Sequence, residues 1–431
     1  MSRLLAALRA LSARVLRRGA AAPDGAPALV DTAQPGPADP VLMATVLALV
    51  AFGVVMVYSA SAVFASQMFH DGEHFLVRQA IYAVVGLVLI VALARLDYHV
   101  LRPLAYPMLG ASVLMMLYIA AGFGHSAGGA ARWISIGPIH VQPAETAKVT
   151  MIFWLAYSLS KKADRIRSFS VGFLPHALVA GFVMLLCLRQ PDFGSAVMIA
   201  LLTFVLLFTA GARTGYILGA TLLVAPIVYA LITRSEYRMR RIQAFLDPFA
   251  HRYDVGYQIF ESLVSFGSGG LSGVGIGDSR QKLFFLPEAH TDFISAIVGE
   301  ELGFVGILAT MIAFAVVVVR GLRAAFRAAD DYGTYLAVGL TLFIGIQAFT
   351  NLAVTMGLVP TKGLALPFLS FGGSSLLVNC AAIGVLLNVS RARPEGAQAP
   401  RDVGGEPARR EANRGLRNGS LRPAGAAGAA S

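Results

Sequence analysis

The chain has 431 residues, of which 56% are hydrophobic and only 14% are charged, and its mean hydropathy is +0.68. Soluble globular proteins contain about 45–50% apolar and about 25% charged residues, so this composition excludes a water-soluble enzyme. A net charge of +11 would indicate nucleic-acid binding in a soluble protein, whereas in a membrane protein it indicates orientation. Cys187 and Cys380 lie in apolar segments and predict neither a disulfide framework nor a thiolate metal cluster.

Ten segments are apolar enough to cross a membrane as helices. A helix needs about 20 mostly apolar residues to span about 30 Å of hydrocarbon. In chain order, the predicted spans are 41–61, 79–95, 104–123, 144–160, 172–189, 193–210, 214–232, 294–319, 333–357 and 366–390. The sequence therefore predicts an all-α polytopic membrane protein, and the even number of spans places both termini on one side of the membrane.

Basic residues predict which side that is, because short cytoplasmic loops are enriched in Lys and Arg. Most of the Lys and Arg residues lie in the two termini and in alternate connections, at 95–103, 161–168, 211–213 and 320–328. The opposite short loops contain only Arg78, Arg132, Arg189 and Lys362. We therefore predict cytoplasmic termini and one large extracytoplasmic loop, 233–293, between the seventh and eighth spans.

The two ends of the chain differ from the apolar region 41–390, which we predict to be the transmembrane domain. Residues 1–40 are rich in Arg, and Leu4, Leu8 and Leu11 have helical spacing. This segment could be a mitochondrial transit peptide, but the predicted topology favours a cytoplasmic helix on anionic membrane lipids. Residues 391–431 are rich in Gly, Ala, Arg and Pro and predict a disordered basic cytoplasmic tail.

The segment P-E-A-H-T-D-F places Glu288, His290 and Asp292 just before the eighth span. At the start of a membrane helix, the helix dipole favours the ionised form of Asp292, whereas apolar surroundings raise its pKa. A carboxylate in such a place suits a general base, although Asp292 could equally cap the helix. The three side chains also leave open a metal site in which they share one ion.

A glycine-rich segment, Gly267 to Gly277, precedes this acidic cluster. Glycine N–H groups can approach an anion closely, so the segment could hold a phosphate or could simply be a flexible loop. Neither a Walker loop nor a Rossmann fingerprint is present, because no G-K-S or G-K-T follows and no strand precedes. Arg280 and Lys282, just beyond the glycines, favour anion binding.

Two more polar clusters lie at predicted spans. Glu145 and Lys148, in Q-P-A-E-T-A-K, are three residues apart and share one helix face. Arg189 and Asp192, in L-R-Q-P-D-F-G-S, lie at the outer turn between the fifth and sixth spans. Each pair could be functional or could be a self-neutralising structural pair, because charges in a membrane are costly unless they are paired.

Two isolated cations, Arg78 and Lys362, lie at the same predicted outer level. Arg78 is at the entry to the second span, and Lys362 is in V-P-T-K-G. The predicted outer side therefore carries an excess of positive charge, and an anionic headgroup is the natural complement to that charge.

These motifs resemble the SEDS family of polytopic membrane proteins over residues 41–390. The motifs are Q-P-A-E-T-A-K, Q-P-D-F-G-S, D-P-F-A followed by G-Y-Q, G-S-G-G-L-S-G-V-G-I-G-D-S-R-Q-K-L-F-F-L-P-E-A-H-T-D-F and P-T-K-G-L-A-L-P-F-L-S-F-G-G-S-S. The strings F-L-P-E-A-H-T-D-F, I-V-G-E-E and F-L-S-F-G-G-S-S are closer to the cell-division branch of that family than to its elongation branch.

The resemblance implies a peptidoglycan glycosyltransferase that polymerises lipid II during septal wall synthesis. Lipid II is a disaccharide-pentapeptide linked through pyrophosphate to undecaprenol. The resemblance places the catalytic aspartate on Asp292, which supports the general-base interpretation. It places the substrate-binding polar residues at Arg78, Glu145, Lys148, Asp192, Lys282, Glu288 and Lys362.

The resemblance further implies a bacterial inner-membrane protein at the division septum. Its expected partners are a class B penicillin-binding protein, other divisome proteins and membrane lipids, without nucleic acid. It leaves open whether a divalent cation, Mg²⁺ or Mn²⁺, assists at the pyrophosphate. Two alternative functions also stay open, a lipid II flippase and a non-enzymatic scaffold for division proteins.

Overall fold

A computed structural model of the protein describes residues 36–127, 130–137 and 139–391. The predicted basic N-terminal segment and the predicted basic tail lie almost entirely outside the described residues. The interpretations given for those two segments therefore stay predictions.

Twelve α-helices form the described part of the chain. They are α1 (Pro40–Phe69), α2 (His74–Arg95), α3 (Leu101–Tyr118), α4 (Pro143–Lys161), α5 (Leu174–Arg189), α6 (Phe193–Thr209), α7 (Thr214–Thr233), α8 (Glu236–Leu246), α9 (Tyr257–Gly269), α10 (Ile294–Arg327), α11 (Asp331–Thr355) and α12 (Gly373–Arg391). Strands are confined to residues 125–141 among the described residues, so the all-α class is confirmed.

Each predicted span contains one long helix, but among the described residues only eight helical segments are both long and apolar enough to cross a membrane. Helices α4 and α6 are not among the eight. Helix α6 has only 17 residues, and α4 carries Glu145 and Lys148 near its start. The fold is therefore polytopic, whereas the number of ten spans and the sidedness of the loop 233–293 stay predictions.

The last predicted span begins later than the sequence suggested. Helix α12 starts at Gly373, whereas the prediction placed its start at residue 366. The apolar residues before Gly373 belong instead to an irregular segment, residues 356–372, which we call the strap. Phe368, in the strap, is buried and has a positive φ of 67°, a conformation that a helix does not contain. Hydropathy alone does not separate such buried coil from helix.

A small antiparallel sheet connects α3 to α4. Its strands are β1 (His125–Ala127), β2 (Ala130–Ile136) and β3 (Ile139–Val141), in the order β1-β2-β3. The sheet was not predicted, because the spans on either side dominated the hydropathy pattern. Arg132 of β2 crosses to the turn before α6, where its guanidinium donates to the backbone carbonyls of Gln190 and Pro191, at 3.0 and 2.6 Å.

Helix α10 is interrupted at Gly303, where φ is 64° and ψ is −160°. The loop 270–275 is inserted into this break, and its backbone makes hydrogen bonds of 2.9–3.2 Å with residues 300–305 of α10. Gly273 is required there, because a Cβ atom on it would lie 2.1 Å from the carbonyl oxygen of Glu301. The break separates a short, buried first part of α10, residues 294–301, from the long second part.

Helix α11 lies at the centre of the bundle, and 78% of its most apolar stretch is buried. It packs against α4, α6, α10 and α12. By contrast, no residue of α7 is buried, and this helix contacts chiefly α6 and α8. The bundle is therefore tightly packed around α11 and loose at α7.

Candidate active site

Asp292 lies in the turn immediately before α10. The helix begins at Ile294, with Phe293 at the N-cap position and no side chain capping it. The alternative that Asp292 caps this helix is therefore wrong. Asp292 is half-buried, and no described residue donates a hydrogen bond to its carboxylate. Both carboxylate oxygens are thus available to accept a proton.

The surroundings of Asp292 raise its pKa. Burial is the largest cause and the nearby Glu288 carboxylate adds to it, so that the pKa of Asp292 is raised to about 7. The positive charges of Arg241 and Arg132 oppose this increase. A carboxyl group that titrates near neutral pH can accept a proton in one step and release it afterwards, as a general base must.

Asn351, in α11, holds the backbone on both sides of this carboxylate. Its side-chain amide donates to the carbonyl oxygen of Asp292 at 2.7 Å and to that of Leu364, in the strap, at 2.6 Å. Its Oδ1 accepts a hydrogen bond from Ser295 at 3.1 Å. Asn351 is almost completely buried, so one amide fixes Asp292 and the strap relative to each other.

The strap brings Lys362 to the same place. Gly363 lies directly against the base, since a Cβ atom on it would be 2.9 Å from Oδ2 of Asp292. The ammonium of Lys362 lies over the ring of Phe193, 5.6 Å from its centroid. Burial lowers the pKa of Lys362, although Asp192 opposes this shift. The predicted anion-binding lysine and the predicted base are therefore neighbours.

Arginines from α8 surround the strap. Arg241 donates to the carbonyl oxygen of Thr361 at 3.1 Å, and Arg238 lies over the ring of Phe193, 5.7 Å from its centroid. Arg238 and Lys362 thus contact the same ring. Aromatic rings attract cations through the negative face of their π-system, so Phe193 stabilises both positive charges close to Asp292.

The predicted pair in α4 is formed. Nζ of Lys148 lies 2.6 Å from Oε1 of Glu145, and both side chains are buried. The second oxygen of Glu145 has no hydrogen-bond partner among the described residues. Lys148 also lies over the ring of Phe343 at 5.5 Å. One oxygen of the buried Glu145 carboxylate is therefore left without a hydrogen bond, although Lys148 pairs with the other oxygen. Such an unsatisfied oxygen is unusual in a purely structural pair.

The predicted pair between Arg189 and Asp192 is not formed. Asp192 instead accepts hydrogen bonds from the backbone N–H and the hydroxyl of Ser195, at 2.9 and 2.7 Å, and so caps α6. Arg189 is exposed. A cap was not anticipated because the D-F-G-S spacing was interpreted as a charge pair and not as a helix start.

Lys282 lies against the first part of α10 and is almost completely buried. Its ammonium donates to Glu301 at 3.1 Å, to Ser59 at 3.4 Å and to the carbonyl oxygen of Gly277. Ser59 in turn donates to both carboxylate oxygens of Glu301, at 2.6 and 2.7 Å. All three ammonium protons of Lys282 therefore have partners within the protein, and its predicted contact with substrate stays a prediction.

The glycine-rich segment is a packing element. Its first residues end α9, and its loop is hydrogen-bonded into the break of α10. Glu300 fixes the next residues, because its carboxylate accepts hydrogen bonds from the hydroxyl of Ser279 and from the N–H groups of Arg280 and Gln281, at 3.0 and 3.4 Å. The backbone of this segment is therefore not an open phosphate cradle.

Glu288, His290 and Asp292 do not converge on one point. Glu288 is exposed and accepts a hydrogen bond from Thr291 at 2.5 Å, whereas His290 is enclosed by aromatic rings. Those rings are Phe64, Phe75 and Phe371, with centroids at 5.5, 4.7 and 6.0 Å. No group of three His, Cys, Asp or Glu side chains in the described part of the chain is placed to hold a metal ion.

Arg78 lies on the exposed side of α2 and makes no hydrogen bond to any described residue. Its neighbour Gln79 is buried and reaches the carbonyl oxygen of Ser370, in the strap, at 3.4 Å. Arg78 is therefore near the strap but faces outward, and its predicted contact with substrate stays untested.

Several residues at this site were not predicted from the sequence. Asn351 is uncharged, so the charges within spans do not indicate it, although a neutral amide in an apolar helix is also costly. Glu300 and Glu301 were noticed only as part of a motif. Arg238 and Arg241 lie in the loop 233–293, and nothing in their local sequence assigns them to the site.

Comparison with known proteins supports the family resemblance. The family model described as Cell cycle protein, FtsW/RodA/SpoVE, matches residues 40–395. The chain is 47% identical over 353 residues to a protein of Geobacter metallireducens named probable peptidoglycan glycosyltransferase FtsW, covering 82% of this chain and 94% of that protein.

Two solved structures are also similar to the chain. One, described under "Structural coordination of polymerization and crosslinking by a peptidoglycan synthase complex", matches with a TM-score of 0.68 and 29% identity, covering 82% of this chain and 98% of that chain. The other, the rod shape determining protein RodA of Thermus thermophilus, matches with a TM-score of 0.61 and 28% identity, covering 83% and 97%. The SEDS assignment is thus confirmed, and the chain belongs to the FtsW/RodA/SpoVE family of cell cycle proteins.

Proposed function

We propose that this protein is a peptidoglycan glycosyltransferase that polymerises lipid II at the outer face of the cytoplasmic membrane. The observation that carries this proposal is the position of Asp292, a half-buried carboxylate whose pKa is raised to about 7 and whose oxygens accept no hydrogen bond from described residues. Lys362 and Arg241 flank it through the strap. A base beside several cations suits the attack of a hydroxyl group on a sugar pyrophosphate.

The proposed reaction is an inverting substitution. The 4-hydroxyl oxygen of the acceptor N-acetylglucosamine forms a bond to C1 of the donor N-acetylmuramic acid, and the bond from C1 to the pyrophosphate oxygen breaks. The hydroxyl proton goes to Asp292, and undecaprenyl pyrophosphate leaves with the electron pair. Lys362, Arg241 and Arg132 stabilise the negative charge that develops on the leaving group.

A partner and a place in the cell complete the proposal. One of the similar structures is described as a peptidoglycan synthase complex that coordinates polymerisation and crosslinking. We propose that this chain likewise works with a class B penicillin-binding protein and other divisome proteins. Its location would be the division septum of the bacterial inner membrane, with both termini in the cytoplasm.

A divalent cation is a separate proposal. The described residues do not offer three acidic, His or Cys ligands in one place, and no step above is routed through a metal ion. A requirement for Mg²⁺ or Mn²⁺ would show as activity that is lost in EDTA and restored by the ion. The thermal midpoint of the protein should not change with EDTA.

The decisive experiment supplies the purified protein and its transpeptidase partner with labelled lipid II in detergent. The wild type should make glycan strands, and the Asp292→Ala protein should make none. Glycan strands from both proteins would contradict the assignment of Asp292.

If neither protein makes glycan while labelled lipid II still crosses the membrane of vesicles that contain either protein, the flippase alternative is correct. Rescue of a depleted strain by the Ala variants of both Asp292 and Lys148 would instead indicate a scaffold.

Asn351 offers a prediction about how the base is positioned. The Asn351→Leu variant keeps the side-chain size but removes both N–H donors, which leaves the carbonyl groups of Asp292 and Leu364 without a partner. Because a shift of about 1 Å at a reacting group can reduce the rate on the order of 10²-fold, we expect kcat to fall about ten- to a hundredfold. The measurement is kcat per folded protein in the lipid II assay.

Gln347 provides the matched control for Asn351. It lies one turn earlier on α11 and donates only to the carbonyl oxygen of Ala365, at 3.2 Å. The Gln347→Met variant should lose stability to a similar degree but keep kcat within about threefold, because it does not contact Asp292. Both variants remove a hydrogen bond from α11 to the strap, but only Asn351 also contacts Asp292. If kcat falls equally in both, the loss comes from the strap and not from the position of Asp292.

A further inference from the structure

A groove lies between the end of α7 and the start of α8. Its volume is about 520 Å³. It is lined by Pro226, Ile227, Ala230, Leu231, Arg234, Ser235 and Arg238. The first four residues are apolar and belong to α7, whereas the last three are polar and lie at one end. The groove therefore has an apolar wall and a cationic end.

The two arginines of the groove have no acidic partner among the described residues. Arg234 is exposed and its side chain makes no hydrogen bond there. Arg238 uses one nitrogen to donate to the carbonyl oxygen of Leu231 at 2.7 Å. The acid nearest in sequence, Glu236, is instead paired with Arg240 at 2.6 Å. Two guanidinium groups thus remain uncompensated beside an apolar surface, which fits an anion carried on a hydrocarbon chain.

The length of the apolar wall fits a lipid tail. From Pro226 to its end at Thr233, α7 rises roughly 10 Å, at about 1.5 Å per residue. Helix α7 has no buried residue, so this wall is open to the bilayer from the side. A long prenyl chain can therefore lie along the wall and continue into the membrane without displacing any packed helix.

The cationic end of the groove is connected to the candidate active site. Arg238 and Lys362 lie over the same Phe193 ring, at 5.7 and 5.6 Å. Gly363, next to Lys362, lies against Oδ2 of Asp292. Arg238, at the cationic end of the groove, is thus linked to Asp292 through Phe193, Lys362 and Gly363.

We infer that this groove binds the polyprenyl pyrophosphate part of the sugar donor, with the pyrophosphate on Arg234 and Arg238 and the first prenyl units along α7. The inference rests on the proposed function and adds the residues that would recognise the donor lipid. Ordinary phospholipids share a phosphate and an apolar tail. However, only a lipid that donates its sugar at Asp292 requires a groove that is connected to Asp292.

The first test measures lipid II polymerisation by the full-length protein with its partner. The double variant Arg234→Gln, Arg238→Gln should raise KM for lipid II about tenfold, and should raise the inhibitory concentration of undecaprenyl pyrophosphate by a similar factor. Its kcat should change less than about threefold, because these arginines act in binding. The matched control is Arg240→Gln, on the same helix but paired with Glu236, which should leave both quantities unchanged. Equal behaviour of the double variant and the control would overturn the inference.

The second test blocks the apolar wall. The Ala230→Trp variant should fill the groove and raise KM for lipid II about tenfold. Leu222→Trp is the control, because Leu222 is 66% exposed on the same helix but does not line the groove. Neither position is buried, so neither variant should lower the thermal midpoint. An unchanged KM in Ala230→Trp would contradict the predicted path of the tail.

A third measurement does not depend on glycan synthesis. Undecaprenyl pyrophosphate should raise the thermal midpoint of the wild type, and should do so much less for the double arginine variant. If phosphatidylglycerol at the same concentration gives the same increase, the groove is a general phospholipid site and the inference is wrong. If the wild type makes no glycan but still shows the selective increase, the proposed function fails while the lipid site stands.

Discussion

Replacing Asp292 with asparagine is expected to slow glycan polymerisation by a factor of roughly 10²–10⁴, the range typical of a lost general base. Asparagine has almost the same shape as aspartate, and the carbonyl oxygen of residue 292 can still accept the hydrogen bond from Asn351. The loss should therefore lie in kcat, with KM for lipid II nearly unchanged. The measurement is steady-state polymerisation of labelled lipid II by the purified protein with its partner.

The pH dependence of kcat gives an independent check on the same residue. A base acts only when it is ionised, so kcat of the wild type should rise with pH through about 7, the raised pKa of Asp292, and stay level above it. Glu288→Gln removes a negative neighbour that raises this pKa. The kcat of the Glu288→Gln variant should therefore rise at lower pH than that of the wild type and reach a similar plateau.

Two outcomes would contradict the role of Asp292. One is an Asp292→Asn protein that retains more than about a tenth of wild-type kcat, since a lost general base should cost far more. The other is a pH profile that does not move in Glu288→Gln, because the electrostatic coupling requires a shift. Arg241→Gln should move the profile in the opposite direction, since Arg241 lowers the same pKa.

The helices of this protein could largely be predicted from the sequence, for a physical reason. A helix in hydrocarbon must be apolar over its whole length, so each membrane helix is visible locally in the chain. The prediction was wrong at the start of α12, because residues 364–371 of the strap form an apolar run that continues into the helix. Phe368 and Leu369 are buried in the strap by tertiary packing, with the backbone of Phe368 lying against Gly53 of α1. Such a contact has no local signature.

The candidate site was only partly predictable. Charges stand out in an apolar sequence because they are costly in a membrane, and Asp292, Lys362 and the Glu145–Lys148 pair were found in this way. Their mutual arrangement was not predictable, because it depends on contacts between distant parts of the chain. Asn351 is an example, since its amide joins residues 292 and 364 from a third element.

The buried contact between Lys282 and Glu301 predicts a large loss of stability when one of its charges is removed. Glu301 is completely buried and Lys282 nearly so, and their charged atoms are 3.1 Å apart. Replacing one member of such a pair leaves an uncompensated buried charge, which costs about 3–5 kcal/mol of stability. We therefore expect Glu301→Leu to lower the free energy of unfolding by about 3–5 kcal/mol. The measurement is the thermal or denaturant midpoint of the purified protein.

The double variant Lys282→Met, Glu301→Leu separates stability from substrate binding. Replacing both charges with apolar side chains of similar size removes the unpaired charge, so most of the lost stability should return. In this structure all three ammonium protons of Lys282 have partners within the protein. We therefore expect glycan synthesis to return as well, because the pair fixes the break in α10 and the loop before Asp292. A stable double variant without activity would show instead that Lys282 leaves Glu301 to contact the lipid-linked substrate.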